Sequence, residues 1–213
     1  MARMLTVLND YDPITHYMYE WSKPVIDAAQ KKGIKTDCVE GRNVTTEQIS
    51  SRIAKLNPSF LLLNGHGDDN TFYGYEGRTA IGLREAAMLG SRVVFSRACC
   101  CANGLGKHAT EKAGCKSFIG YEFEFVNVRQ TNKELTPLED EISRPIWETS
   151  NAVPLALIKG ATVSDSVEAS HQKARKEIAR LLFPGEIGAI EALKAVIAND
   201  SSLVAHGNNS ATI

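Results

Sequence analysis

The chain has 213 residues, 43% of them hydrophobic and 23% charged, with a formal net charge of −1. That composition suits a single domain over residues 1–213 with a substantial core. It excludes a strongly basic nucleic-acid binder or a polybasic membrane surface, and no apolar run approaches the roughly 20 residues that cross a bilayer.

The first residues, Met1-Ala2-Arg3-Met4-Leu5-Thr6-Val7-Leu8, enter a strand-like run at once. They lack the long apolar core and cleavage site of a signal peptide, so a cytoplasmic location is expected. Five cysteines are present, three of them consecutive: Cys99, Cys100 and Cys101. Neighbouring Cβ directions diverge, so free thiols are expected rather than a disulfide scaffold.

The first two-thirds alternates strand and helix signals. A strand is predicted over residues 5–9. Asp12-Pro13 reads as an N-cap with proline at the first helical position. The helix should run to Lys32, kink or break at Pro24 and stop at Gly33. A second strand follows over 34–39. Thr45-Thr46-Glu47-Gln48 has capping-box spacing and opens a helix that stops before Asn57-Pro58. Residues 59–64 form the third strand, and 65–78 a polar, glycine-rich loop. A short helix is expected over 79–89, a fourth strand over 92–98, a helix over 103–113 and a fifth strand over 116–121. Residues 127–137 are polar and loop-like, a plausible processing site by position. Helices then cover 138–159, 164–183 and 186–198, separated by Gly160 and Pro184-Gly185. A last short strand spans 203–206. The alternation predicts an α/β fold with a mostly parallel sheet of about six strands and helices on both faces.

Two strands end on reactive side chains. Leu61-Leu62-Leu63-Asn64-Gly65-His66-Gly67 ends on His-Gly, and Val93-Val94-Phe95-Ser96-Arg97-Ala98-Cys99 on Ala-Cys. Ligands of open α/β sheets bind beyond the carboxyl ends of the strands. Adjacent parallel strands lie about 4.8 Å apart, so the imidazole of His66 and the thiol of Cys99 should meet there. Cys99 is then a nucleophile and His66 the group that takes its proton and returns it to a leaving amine. Gly67, without a side chain, leaves its N–H open to an oxyanion; the N–H of Cys99, near a helix start, is a second donor. Cys101 shares the face of Cys99 if the strand continues, which makes it the reserve nucleophile. Arg97 either forks onto an acidic substrate side chain or pairs with an internal acid such as Asp68, Asp69 or Glu122. Asp68, Asp69 and Asn70 orient His66, bind Ca²⁺ or remain solvated. Phe72, Tyr73 and Tyr75 wall a cleft or cap the sheet. Gly104-Leu105-Gly106-Lys107-His108 fails the phosphate-loop pattern, and no C-x-x-C pair suggests zinc. No metal or cofactor is expected.

The His-Gly and Ala-Cys strand ends, residues 60–67 and 92–104, resemble the caspase-like (clan CD) cysteine peptidases. That group includes caspases, metacaspases, legumains, clostripain, gingipains, separase and bacterial CHAT proteases. The resemblance implies a three-layer caspase-like fold and an endopeptidase with a His66–Cys99 dyad. It also implies an oxyanion hole at Gly67 and Cys99, Arg97 in the pocket for the P1 residue, and an acidic P1 preference. The partner implied is a peptide or protein substrate. The His-to-Cys spacing of 33 residues departs from the caspase spacing of about 50 and is closer to the bacterial and CHAT-like members. The cysteine triplet also departs from the caspase Q-A-C-R-G. A catalytically inactive caspase-like or flavodoxin-like binding module is the other reading. The helical C-terminal third is available for a homodimer contact or a regulatory partner.

Overall fold

The computed structural model describes residues 2–183 and 188–213. Six strands form one sheet: β1 (Arg3–Leu8), β2 (Lys35–Glu40), β3 (Phe60–Asn64), β6 (Val93–Ser96), β7 (Ser117–Tyr121) and β8 (Leu203–Gly207). Between β3 and β6 a small antiparallel ribbon joins β4 (Phe72–Tyr73) to β5 (Thr79–Ile81). The sheet order is β2-β1-β3-β6-β7-β8, parallel throughout except for β8, which runs against β7. This is the expected α/β architecture with a mostly parallel sheet.

The central strands are apolar on both sides because helices cover both faces. Along β3, Phe60 and Leu62 join one core, and Leu61 and Leu63 the other. β6 repeats the alternation with Val93 and Phe95 against Val94. The first core packs under α1 (Pro13–Glu20), α2 (Lys23–Lys31), α5 (Arg144–Lys159), α6 (Val163–Leu181) and α7 (Ala189–Ser202). The second lies under α3 (Thr46–Leu56), the β4–β5 ribbon and the short α4 (Lys107–Glu111).

The cap signals act as their chemistry requires. The Asp12 carboxylate accepts from the N–H groups of Ile14 and Thr15, and Pro13 opens α1. Thr45 accepts from the Gln48 N–H at the start of α3. Pro24, lacking an N–H, sits in the first turn of a new helix, so the expected 13–32 helix is two helices, α1 and α2.

Three expectations are corrected. Residues 79–89 are not a helix. Thr79–Ile81 pair with Phe72–Tyr73, and Ala86–Leu89 form only a tight 3₁₀ turn. The helix expected over 103–113 is a wide π turn, Ala102–Gly106, followed by the five residues of α4. The helix expected from 138 starts at Arg144. Asp140 first gathers the N–H groups of Gln130, Ile142 and Ser143 and the Tyr17 hydroxyl, which folds 130–143 onto α1. The expected start of the last helix at residue 186 lies outside the described residues; its body is α7.

Candidate active site

The register places the two signature motifs level. Leu63 of β3 pairs with Ser96 of β6, so His66 and Cys99 each lie three residues beyond a matched pair. Both are part-exposed at the carboxyl edge of the sheet.

His66 is held by an acid that the sequence offered only as a cap. Its Nε2 lies 2.7 Å from the second carboxylate oxygen of Asp12, whose first oxygen caps α1. The carboxylate can only accept, so Nε2 donates to it, and in the neutral ring Nδ1 holds the lone pair. Burial raises the Asp12 pKa, but the Thr15 N–H and the His66 ring outweigh it and hold the carboxyl below its ordinary value. Tyr11 lies beside the imidazole with ring centroids 6.0 Å apart, and Tyr75 packs on Tyr11 at 5.4 Å. Of the readings open for Asp68, Asp69 and Asn70, orienting His66 is excluded because Asp12 holds the ring, and all three are exposed loop residues. Asp68 instead accepts from the Asn70 N–H and the Tyr73 hydroxyl, closing its own turn. Asp69 accepts the Leu105 N–H through its backbone. Phe72 is wholly buried in the second core, whereas Tyr75 walls the histidine side through Tyr11.

The Gly67 position allows no side chain. A Cβ there would lie 2.5 Å from Cys101 Sγ and 2.8 Å from both Ala98 Cβ and the Thr71 carbonyl oxygen. Gly67 faces Phe72 across a narrow bridge whose hydrogen bonds come from Tyr73 N–H to His66 O and Asp68 N–H to Thr71 O. Its own N–H, like that of Cys99, meets no acceptor elsewhere in the chain among the described residues. The Cys99 N–H leans on its own sulfur, and the Gly67 N–H is unclaimed beside Ala98.

The three cysteines part company. Cys99 is half-buried against the first core, and its sulfur accepts the Phe125 N–H at 3.4 Å. Burial pushes its pKa up; the Phe125 N–H opposes this, and the charge of Glu124 adds to it. Burial and the Glu124 charge favour the protonated thiol at Cys99. Among the described residues no hydrogen bond joins it to His66. Cys100 turns the chain with φ +60°, and its N–H donates to the Phe123 carbonyl. That turn puts Cys101 on the opposite side, fully buried in the second core, with its thiol donating to Thr71 O at 3.3 Å. Burial holds the Cys101 thiol well above the ordinary range. The expectation that Cys101 shares the face of Cys99 is corrected, and with it the reserve role.

Arg97 is likewise displaced from its expected part. It is fully buried, and burial lowers its pKa to about 10. Its Nε donates to Ser150 Oγ at 2.8 Å, one terminal nitrogen to Asn64 Oδ1 at 3.2 Å and the other to Asn151 Oδ1. The guanidinium stacks over Phe95 and Trp147, 5.2 and 5.9 Å from the ring centroids. Neither an open fork for a substrate carboxylate nor a pair with Asp68, Asp69 or Glu122 is formed. Instead Arg97 ties β6 to β3 two residues before the cysteine and the histidine, and ties both to α5. Asn151 continues the network to the Trp21 carbonyl, and Asn64 to Met18 and Ser22.

The loop after β7 closes the other side. The Phe123 N–H donates to Ser202, and the Asn199 amide exchanges two bonds with the Val126 backbone, so α7 fixes the segment that presents the Phe125 N–H. Phe123 itself stands out at the rim, 67% exposed. The exposed acids Asp68, Asp69 and Glu124 surround the cysteine turn. Among the described residues no group of three or more His, Cys, Asp or Glu side chains is arranged to hold a metal, and no helix is long and apolar enough to cross a membrane.

No family model matches this sequence, and no curated protein matches it. The fold does match solved structures. The Arg-specific cysteine proteinase gingipain R (RgpB) superposes with a TM-score of 0.64 at 11% identity, covering 99% of this chain and 47% of that one. The complex of the Porphyromonas gingivalis RgpB pro- and mature domains gives 0.64, 11%, 99% and 48%. The chain thus spans about half the length of those structures, and what it shares with these cysteine proteinases is the mostly parallel, caspase-like α/β fold.

Proposed function

We propose that this chain is a cysteine endopeptidase. The observation that carries the reading is the level placement of His66 and Cys99 beyond paired strands, with Asp12 holding the imidazole in one tautomer. In this mechanism the substrate carbonyl lies over Cys99 with its oxygen toward the Gly67 and Cys99 N–H groups. Nδ1 of His66 accepts the thiol proton as sulfur attacks carbon, and returns it to the amine nitrogen as the C–N bond breaks. Water then attacks the thioester, and sulfur recovers a proton through the same imidazole. Asp12 stabilises the imidazolium in both halves. The raised thiol pKa means that the proton leaves during attack rather than beforehand.

The acidic P1 preference rested on Arg97, whose guanidinium is enclosed. Asp68, Asp69 and Glu124 give the rim the opposite sign, so a basic side chain is favoured near the scissile bond. The structural neighbour described as Arg-specific points the same way.

The test combines a peptidyl acyloxymethyl ketone with a P1-varied peptide library. Labelling of wild type at Cys99, lost in Cys99→Ala and strongly slowed in His66→Ala, is the expected result. Unchanged Cys99 labelling in His66→Ala overturns the dyad. Slow, uniform alkylation of all five cysteines with no hydrolysis of any library member establishes the binding-module alternative. Faster cleavage after Asp or Glu than after Arg or Lys overturns the charge argument.

A further inference from the structure

The donor on the Cys99 sulfur comes from a stretch with no regular structure of its own. Residues 122–130 lie between β7 and the short 3₁₀ turn Thr131–Lys133, yet the Phe125 N–H is aimed at Sγ. The last turn of α7 sets that aim from both sides. Before Phe125, the Glu122 N–H donates to the Ser202 carbonyl and the Phe123 N–H to the Ser202 hydroxyl at 2.8 Å. After it, the Asn199 amide takes both backbone groups of one residue. Its Oδ1 accepts the Val126 N–H and its Nδ2 donates to the Val126 carbonyl, each at 2.8 Å. Asn199 is only 4% exposed, in a helix whose other buried residues are Ala192, Ala195, Val196 and Ser202. A buried amide costs stability unless both its ends are bonded, and here Val126 alone bonds both. The Phe125 ring is anchored separately, against Tyr121 and Trp147 at 4.8 and 5.3 Å between centroids. The side chain is thus fixed by packing and the backbone around it by α7.

We propose that Asn199 is a positioning residue for Cys99: by holding the Val126 backbone it keeps the Phe125 N–H on the sulfur and steadies that sulfur as it becomes charged. The inference rests on Cys99 as the nucleophile. An N–H donated to sulfur is stronger when the sulfur carries charge, so the bond favours the thiolate over the thiol. It acts against the acids around the cysteine turn, Glu124 on the same loop and Asp68 and Asp69 after β3. The other titratable groups on this side are Cys100, next in sequence, and His66 across the paired strands. The nearby cations are engaged: Arg97 with Asn64, Ser150 and Asn151, and Lys107 with Glu122 at 3.9 Å. The Phe125 N–H is therefore a local group that helps sulfur give up its proton, and Asn199 acts through it without a hydrogen bond of its own to Cys99 or His66 among the described residues.

The test is the pH dependence of Cys99 alkylation by iodoacetamide in the full chain, read by peptide mapping, with a thermal melt of each variant. Asn199→Ala should raise the midpoint of Cys99 alkylation by about half to one pH unit. Ser202→Ala, which removes only the acceptor of the Phe123 N–H, should raise it by less. Ser170→Ala breaks a buried bond between α6 and α5 and serves as the control: its melting temperature should fall and its Cys99 midpoint stay in place. Loosened packing alone would expose the sulfur and speed alkylation. Slower alkylation at a fixed pH below the midpoint therefore separates a lost donor from a lost contact. An unchanged midpoint in Asn199→Ala, or faster Cys99 alkylation, overturns the proposal. If Asn199→Ala does not melt cooperatively, Ser202→Ala decides by the same two outcomes. No peptide substrate enters these measurements, so the positioning role and the peptidase reading stand or fall separately.

Discussion

Asp12→Asn separates the two tasks of one side chain. Asparagine caps a helix as well as aspartate does, so α1 should keep its N-terminal bonds and the melting temperature should change little near neutral pH. The bond to His66 changes in kind. An amide N–H directed at Nε2 makes that nitrogen the acceptor and moves the ring proton to Nδ1, where the mechanism needs a lone pair. A hydrogen bond to a charged group is worth about 1.5–3 kcal/mol, or about 10- to 150-fold in rate. The Asp12 and His66 side chains are 28% and 36% exposed. Water therefore competes, and a fall in kcat/KM of about 10- to 100-fold is expected. The assay is hydrolysis of the best library peptide, with thermal melting of both proteins from pH 3 to 8. Because the Asp12 pKa is lowered in the folded state, its contribution is fully present above the unfolded value of about 4 and is lost as pH falls through the folded value. The variant should therefore show a flatter acid limb. Wild-type kcat/KM in Asp12→Asn, with an unchanged acid limb, refutes the positioning argument.

Gly67→Ala forces a methyl against Ala98, Cys101 and the Thr71 carbonyl. It should destabilise by about 1–3 kcal/mol, a drop of roughly 2–4 °C per kcal/mol for a chain of this size. An unchanged melt would contradict the close approach. Arg97→Ala should lower the melting temperature by several degrees, because Asn64, Ser150 and Asn151 lose a charged donor inside the core. It should leave the charge preference at P1 in place; inverted P1 selectivity with an unaltered melt would mean that the guanidinium faces substrate. Iodoacetamide alkylation of Cys99 in the absence of substrate should rise steadily with pH through 9, since the resting thiol is raised above 9.0. A plateau near neutrality, read by peptide mapping, would indicate a preformed thiolate.

Periodicity made the sheet readable: the central strands announced themselves as apolar runs, and the His-Gly and Ala-Cys endings came with them. What escaped depends on contacts distant in sequence. Asp12 was legible as a cap because the N–H donors it accepts from are two and three residues away; its second partner is 54 residues downstream. Arg97 followed a buried strand in a position that suited a substrate pocket. The signal against that lay in Glu148-Thr149-Ser150-Asn151, a polar run set between the apolar segments Pro145-Ile146-Trp147 and Ala152-Val153-Pro154 of α5. Cys101 was misplaced because period-two alternation was carried past Ser96, where the strand stops. The segment over 79–89 has helical composition at its end, but pairing with Phe72 and Tyr73 captures its beginning.

Gly67, Ala98 and Cys101 touch, so these three positions form one steric unit. An added methyl at any of them must be offset at another, and the three should therefore vary together across related chains. The unit also gives the cysteine run a division of labour. Cys101 is a spacer whose size fits beneath a glycine, and Cys100 is a hinge in the left-handed region. Cys99 keeps its sulfur beside the open end of the sheet. Replacing Cys101 with a larger side chain would push the histidine loop outward while leaving both proposed reacting groups chemically intact. That makes it a way to detune the site by distance alone.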